Sequence, residues 1–287
     1  MRITLLDASD KVSPVLRLVY GDVAQACAEL GIDYVVVGAA ARDLVLQHIY
    51  GAPSRRATAD VDFGLKVADW HSFDELRIAL LRKGYRESSS RHGLTSPGGI
   101  PVDIVPFGQV ADSDANIAWP PDGETRMSVL GFTEAHDHSD LIRIQNDPEI
   151  QIRVATPVGM ALLKLIAWND RSPDVRKKDA LDFQHLLSSY SRIPEVNDTA
   201  YAERALAERH GWDIDLISAE VLGLRARQMA HQKTAEVIFA LADRAEKLEA
   251  LLWEMASGVE AMLDRSSELL TAFFRGFRGS GYSGGPV

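Results

Sequence analysis

Cysteine is almost absent: Cys27 stands alone in 287 residues, so neither an internal disulfide nor a cysteine-built metal site is available to the chain. Its place among apolar residues at helical spacing gives it a packing role. Long apolar runs are missing as well. The stretches at 34–37 and 160–163 stop far short of the roughly 20 residues that a membrane-spanning helix needs, so no membrane partner is expected. The first residues, Met-Arg-Ile-Thr-Leu-Leu-Asp, have no charged leader followed by a sustained apolar segment and a small-residue cleavage site, and a cytoplasmic address is expected. Positive charge is in deficit. The formal net charge of −10 argues against a surface that is one broad nucleic-acid footprint, although a local basic cleft survives that argument. Histidine is not patterned for zinc either: His136 and His138 lie beside Asp137 and Asp140 with no His-x-x-x-His pair.

What is present is apolar residue in quantity, 46% of the chain, patterned first as alternating helices and strands and then as helices alone. Val15, Leu16, Val19, Val23, Ala26 and Leu30 recur at helical spacing, so a helix is predicted over Pro14–Leu30, closed by Gly31. A β-branched strand at Asp33–Val37 runs into Gly38-Ala39-Ala40-Ala41, a tight turn opening a further helix at 42–48. Strands follow at 60–65 and 101–107, separated by a helix at 72–83 with Ser72 as its cap. A peripheral hairpin is expected at 141–144 and 150–155. These elements predict an α/β (α+β) fold: a mixed β-sheet core with flanking helices over 1–155, then an all-helical domain over 156–274. The helical half opens with Thr156 as cap and Pro157 in the first turn. Helices are predicted at 157–168, 178–190, 199–210 and 215–232. A long one follows from Thr234, re-capping at Ser266 or Ser267. The glycine-rich end, 275–287, reads as a disordered tail. A near-heptad stripe of Leu241, Leu248, Leu252, Met255, Val259, Met262 and Leu269 is read as core.

Three carboxylates carry the chemistry. In Asp60-Val61-Asp62 strand alternation sends both acidic side chains to one face. Asp103, flanked by Val102 and Ile104, joins them if its strand is a neighbour. Converging without partners they would repel. Mg²⁺ or Mn²⁺ removes that repulsion, since a hard cation favours carboxylate and phosphate oxygens. The competing account is that the pair caps local backbone or binds Arg55, Arg56 or Lys66. The turn at Gly38, with the amides of Ala39 and Ala40 opening the helix, suits a triphosphate, and Arg42 in the first turn of that helix is expected to contact phosphate, solvation being the other account. Lys164, alone among apolar residues, and Arg171 seven positions on would share a helical face. Asp179 and Asp182 form a second such pair. Trp119-Pro-Pro-Asp-Gly reads as a surface turn.

Together, Val-Val-Gly-Ala-Ala-Ala-Arg at 36–42, Arg-Ala-Thr-Ala-Asp-Val-Asp at 56–62, Val-Asp-Ile-Val-Pro-Phe at 102–107, Lys-Leu-Ile-Ala-Trp-Asn-Asp-Arg at 164–171 and Lys-Lys-Asp-Ala-Leu-Asp at 177–182 resemble the nucleotidyltransferase superfamily with the DNA polymerase β core. Within it the likeness is to the AbiEii/AbiGii toxin-like group, over residues 34–190. The resemblance implies a nucleotidyltransferase that moves a nucleoside monophosphate from a nucleoside triphosphate to an acceptor hydroxyl, with tRNA or another RNA as acceptor and a cognate antitoxin as partner. It implies metal at Asp60, Asp62 and Asp103, with Asp103 as general base, and a triphosphate cradle at Gly38, Ala39 and Ala40. It also implies a site-side hydroxyl at Thr58, roles for Lys164 and Asp182, and a helical domain closing the nucleotide cleft. Many members carry serine directly after the motif glycine, where this chain has Ala39. Two other readings stand beside this one, a non-catalytic nucleotide- or partner-binding module and a metal-dependent phosphohydrolase.

Overall fold

The computed structural model describes residues 5–53 and 60–279. The chain divides into two compact units with the boundary between Met160 and Ala161.

The first unit is built on a mixed sheet of eight strands. In chain order these are β1 (Leu5–Asp7), β2 (Asp33–Val37), β3 (Val61–Val67), β4 (Arg86–Glu87), β5 (Gly93–Thr95), β6 (Pro101–Gly108), β9 (Asp140–Asn146) and β10 (Glu149–Val154). A separate two-stranded hairpin contributes β7 (Asn116–Ala118) and β8 (Arg126–Ser128). Across the large sheet the order is β1-β9-β10-β2-β3-β6-β5-β4, in which β1–β9, β10–β2 and β3–β6 are parallel and the other pairs antiparallel. The hairpin expected at the periphery is therefore an interior part of the sheet. Its second strand pairs with β2 through Val154 and Val36, and Ile142, Ile144, Ile152 and Val154 are fully buried.

Helix α1 (Pro14–Leu30) forms as the spacing predicts, with Ser13 accepting the amide of Leu16 and Gly31 in the left-handed region at φ +65°. It buries Val19, Tyr20, Val23, Ala26 and Cys27, and the Tyr20 ring meets Phe63 of β3 at 6.2 Å. Burial pushes the Cys27 thiol up to about 12, which leaves it inert as a nucleophile. After β2 comes α2 (Gly38–Arg42), which widens into π-helical turns over Asp43–Ile49. Helix α3 (Trp70–Arg82) starts two residues before Ser72. Asp69 is its cap and accepts the Ser72 amide at 2.8 Å, because a carboxylate reaching into the first turn outcompetes the hydroxyl three residues on. Helix α4 (Phe132–Asp137) lays Phe132 over Gly64, on the face of β3 that also carries Asp62.

Helix α5 (Pro157–Asp170) contains the boundary between the units. The remaining helices are α6 (Lys177–Ser189), α7 (Pro194–Ala202), α8 (Arg204–Arg209), α9 (Ile214–Met229), α10 (Gln232–Ala242), α11 (Ala245–Met255) and α12 (Leu263–Arg278). The long helix expected from Thr234, with a re-cap at Ser266 or Ser267, is three helices, interrupted first at Asp243-Arg244 and again between Met255 and Leu263, where α12 begins ahead of both serines. Its stripe is broken where Ser257 and Gly258 both adopt positive φ, +58° and +74°. Leu241, Met255 and Leu269 are buried as a core stripe requires, whereas Val259 and Met262, at and after the break, are exposed. Helix α12 continues to Arg278, past the position where a tail is expected to begin. Its core with α9 depends on two glycines. A β-carbon on Gly223 would lie 1.9 Å from the Phe273 carbonyl oxygen, and one on Gly276 would lie 2.0 Å from that of Glu220, so the two backbones meet directly.

Candidate active site

Strand alternation puts Val61, Phe63, Leu65 and Val67 of β3 into the core, all nearly inaccessible, and turns Asp62 to the opposite face. The parallel pairing of β3 with β6 sets Val61 beside Val102, Asp62 beside Asp103 and Phe63 beside Ile104. Two apolar pairs thus fix a register in which two carboxylates are neighbours. Asp60, two residues before Asp62, adds the third. One ligand atom from each of Asp60, Asp62 and Asp103 lies within 4.8 Å of the others, Asp60 being exposed and the other two half-buried.

This donor set fits a hard divalent cation. Three carboxylates so close repel one another, and a small doubly charged ion with oxygen preference offsets that repulsion at short range. Of the competing partners, Lys66 has its ammonium 3.5 Å from Asp137 on the far part of β3, while Arg55 and Arg56 lie outside the described residues. Burial raises the Tyr20 phenol above its ordinary range, with the charges of Asp43 and Asp62 adding to the effect, so this ring stays neutral behind the site.

The strand pairing that places Asp62 also places the glycine turn, because Val37, the last residue of β2, is the partner of Asp62. Gly38 follows at φ +71°, and the position of a β-carbon there is 1.9 Å from Asp62 Oδ2. Only glycine satisfies both conditions. Ala39 is half-buried and Ala40 buried in the first turn of α2. Arg42 is also buried, with its guanidinium on Asp43 at 2.6 Å and 2.8 Å. Thr58 lies outside the described residues.

In the helical unit the residues singled out from the sequence form an ion-pair cluster. Lys164 Nζ lies 3.2 Å from Asp179 Oδ1 and 2.7 Å from Asp182 Oδ2, and Arg171 Nη1 lies 2.5 Å from Asp179 Oδ2. Asp179 is fully buried. The spacing of seven from Lys164 on α5 to Arg171 just past its end, whose amide still bonds Ala167, and of three on α6 brings the four charges together. The turn at 119–123 is at the surface through Pro120, Pro121 and Asp122, but Trp119 itself is core: it is 3% exposed and packs on Trp70 and Phe73 at 5.2 Å and 5.7 Å between ring centroids.

One neighbour of the triad has no local sequence signal. His92 Nε2 lies 3.8 Å from Asp103 Oδ2, brought there by the antiparallel pairing of β5 with β6.

The family model described as nucleotidyl transferase AbiEii toxin, type IV TA system, matches residues 24–265. Among solved structures, that of ANT(2")-Ia in complex with adenylyl-2"-tobramycin is similar at 14% identity and a TM-score of 0.38, over 67% of this chain and 99% of that one. A CCA-adding enzyme in complex with CTP is similar at 14% identity and a TM-score of 0.30, over 96% of this chain and 78% of that one. The Thermotoga maritima CCA-adding enzyme complexed with tRNA is similar at 10% identity and a TM-score of 0.27, over 96% of this chain and 86% of that one. No curated protein matches the chain.

Proposed function

Because this chain belongs to the AbiEii nucleotidyl transferase toxin family, we propose that it moves a nucleoside monophosphate from a nucleoside triphosphate to an acceptor hydroxyl, and that Asp60, Asp62 and Asp103 hold the Mg²⁺ or Mn²⁺ this requires. The observation that carries the reading is the convergence of Asp62 and Asp103, on adjacent parallel strands, with Asp60, the residue just before β3. A divalent cation bound there supplies charge neutralisation for the triphosphate.

The roles of the residues follow from where they sit. The family resemblance makes Asp103 the general base: it takes the proton of the attacking hydroxyl as that oxygen bonds to the α-phosphorus and the bond to the departing pyrophosphate breaks. Backbone amides at Gly38, Ala39 and Ala40 receive phosphate oxygens, a task for which the absence of a side chain at 38 clears the approach. Arg42 is buried and pairs with Asp43, and Thr58 is assigned a hydroxyl beside the site by family resemblance. The same resemblance supports nucleotide contacts for Lys164 and Arg171 and a catalytic role for Asp182, with Lys164 paired to Asp179 and Asp182, and Arg171 to Asp179. Family resemblance supports an RNA acceptor, tRNA first, and the family's place in a type IV toxin–antitoxin system supports a cognate antitoxin. Among the described residues no helix is long and apolar enough to cross a membrane.

The test is incubation of purified protein with labelled nucleoside triphosphates, Mg²⁺ and total RNA or a metabolite pool. Labelled adduct is expected, and Asp60→Ala and Asp62→Ala should each abolish it with the unfolding midpoint unchanged. Adduct formed at the wild-type rate by either variant would sink the mechanism. The methyl side chain of Ala39, which offers phosphate no hydroxyl, favours a second reading as a non-catalytic binding module. That reading predicts nucleotide binding without turnover in the same assay, and a phosphohydrolase would release nucleotide without adduct.

A further inference from the structure

His92 takes no part in the chemistry so far. Its carbonyl oxygen accepts the amide of Ile104 at 2.9 Å, one residue beyond Asp103 on β6, and this backbone bond fixes the imidazole alongside the carboxylate. Both side chains are about one-third exposed, 35% and 33%. On its other side the ring meets Trp119 at 5.8 Å between centroids. Trp119 is itself held in the core, and its carbonyl accepts from Arg91 at 3.0 Å, while Arg91 also pairs with Asp122 at 3.1 Å. The imidazole is thus backed by a rigid aromatic block and presents Nε2 to one oxygen of the carboxylate.

A carboxylate rotates about a broad terminal torsion, so a strand alone does not decide which oxygen faces a shared ion. A nitrogen donor held on one side does decide it. At 3.8 Å the pair is outside hydrogen-bond length, and a small carboxylate rotation closes the gap. We propose that His92 is a positioning residue, presenting its Nε2–H to one lone pair of Asp103 Oδ2, leaving the second lone pair of that oxygen for the proton of the attacking hydroxyl and the other oxygen for the cation shared with Asp60 and Asp62. This rests on the metal reading of the triad. The residue acts through Asp103 in the way that outer partners orient ligating carboxylates.

Two substitutions separate the donor from the ring. His92→Phe keeps a flat ring against Trp119 and removes the N–H, while His92→Gln keeps an N–H at comparable reach and removes the ring. Mn²⁺ binding to the purified full chain is followed by electron paramagnetic resonance, with kcat and KM for the triphosphate measured alongside. His92→Phe is expected to weaken Mn²⁺ binding and lower kcat by about 10-fold, the lower end of the range for such partners, with KM unchanged. His92→Gln is expected to recover most of both, and unfolding midpoints should agree with wild type. Wild-type Mn²⁺ affinity in His92→Phe overturns the inference, as does equal impairment in the two variants. Asp103→Asn is the control for the underlying reading: if wild type binds no Mn²⁺, or binds it no better than Asp103→Asn, the metal site fails first and this inference with it.

Discussion

Gly38 and Asp62 share one small volume: the place a β-carbon would take on the first is 1.9 Å from Oδ2 of the second. The turn and the carboxylate are therefore one device. β2 ends at Val37, whose partner across the sheet is Asp62, so the same backbone ladder sets both. Any side chain at 38 must push the carboxylate aside, and must also accept a φ of +71° that only glycine adopts without strain. Gly38→Ala is accordingly expected to lower nucleotide transfer by about 100-fold, the scale of a misplaced reacting group. It should also cost about 1–3 kcal/mol of stability through backbone strain. Initial rates and urea unfolding measure the two separately. A variant as active as wild type would show that Asp62 tolerates displacement and is no ligand.

Lys164 poses a different problem, because its ion-pair cluster has structural weight whatever its role in transfer. Its ammonium bridges Asp179, which is fully buried, and Asp182. Removing a cation from a buried cluster leaves uncompensated carboxylate charge, so Lys164→Met is expected to destabilise the protein by about 3 kcal/mol. Lys164→Arg should recover most of that, since a guanidinium reaches both carboxylates. Loss of transfer in Lys164→Arg at wild-type stability would then report on substrate contact. An unfolding free energy unchanged in Lys164→Met would show that the carboxylates rearrange onto Arg171.

How much of this arrangement could be read from the chain depended on whether the controlling signal was local. Helix α1 was legible to its ends because Pro14 and Gly31 bracket an unbroken apolar stripe. The three carboxylates were legible because Asp62 and Asp103 lie on period-two strands and Asp60 immediately precedes the first of them, and their convergence needed only that β3 and β6 be neighbours. Register across strands was not legible. Nothing local in 141–155 says that this hairpin enters the middle of the sheet, and β4, β5, β7 and β8 are two or three residues long, too short for any periodicity. The break at Ser257-Gly258 was hidden for the opposite reason: the apolar stripe continues across it in the sequence although the backbone does not. His92 was missed because its proximity to Asp103 arises from pairing of β5 with β6, which no spacing along the chain records.

The crossing of α9 with α12 yields a prediction about packing alone. At Gly223 and Gly276 an added β-carbon would meet main-chain carbonyl oxygens at 1.9 Å and 2.0 Å, atoms that cannot swing away as a side-chain end can. The helices must separate or shift to admit a methyl group. Gly223→Ala and Gly276→Ala are each expected to cost about 3 kcal/mol, the upper range for overpacking a tight core. The measurement is guanidinium unfolding of each variant. A cost under about 1 kcal/mol, within the range of a tolerated core swap, would mean that this backbone contact is softer than described.

Asp213 makes the helical unit sensitive to acid. Its carboxylate receives the Arg265 guanidinium at 2.7 Å and 2.9 Å and, as the cap of α9, the amides of Asp215 and Leu216. Arg265 chiefly, and then the cap amides, hold this carboxyl below its ordinary value of 3.8 against the opposing effect of burial. A carboxyl depressed by folding contributes stability that is fully present above the unfolded pKa and is lost as pH falls through the folded one. Asp213→Asn keeps an oxygen for the amides and removes the charge. With both partners about a third exposed, 35% each, solvent screening limits the ionic contribution to at most about 1 kcal/mol. Wild type should therefore exceed Asp213→Asn by up to that margin at neutral pH, with the gap closing as pH is lowered through and below the ordinary carboxylate range. Urea midpoints across a pH series give the comparison. A gap that persists undiminished in acid would assign the stabilisation to side-chain shape at the cap, because only an ionic contribution can titrate away.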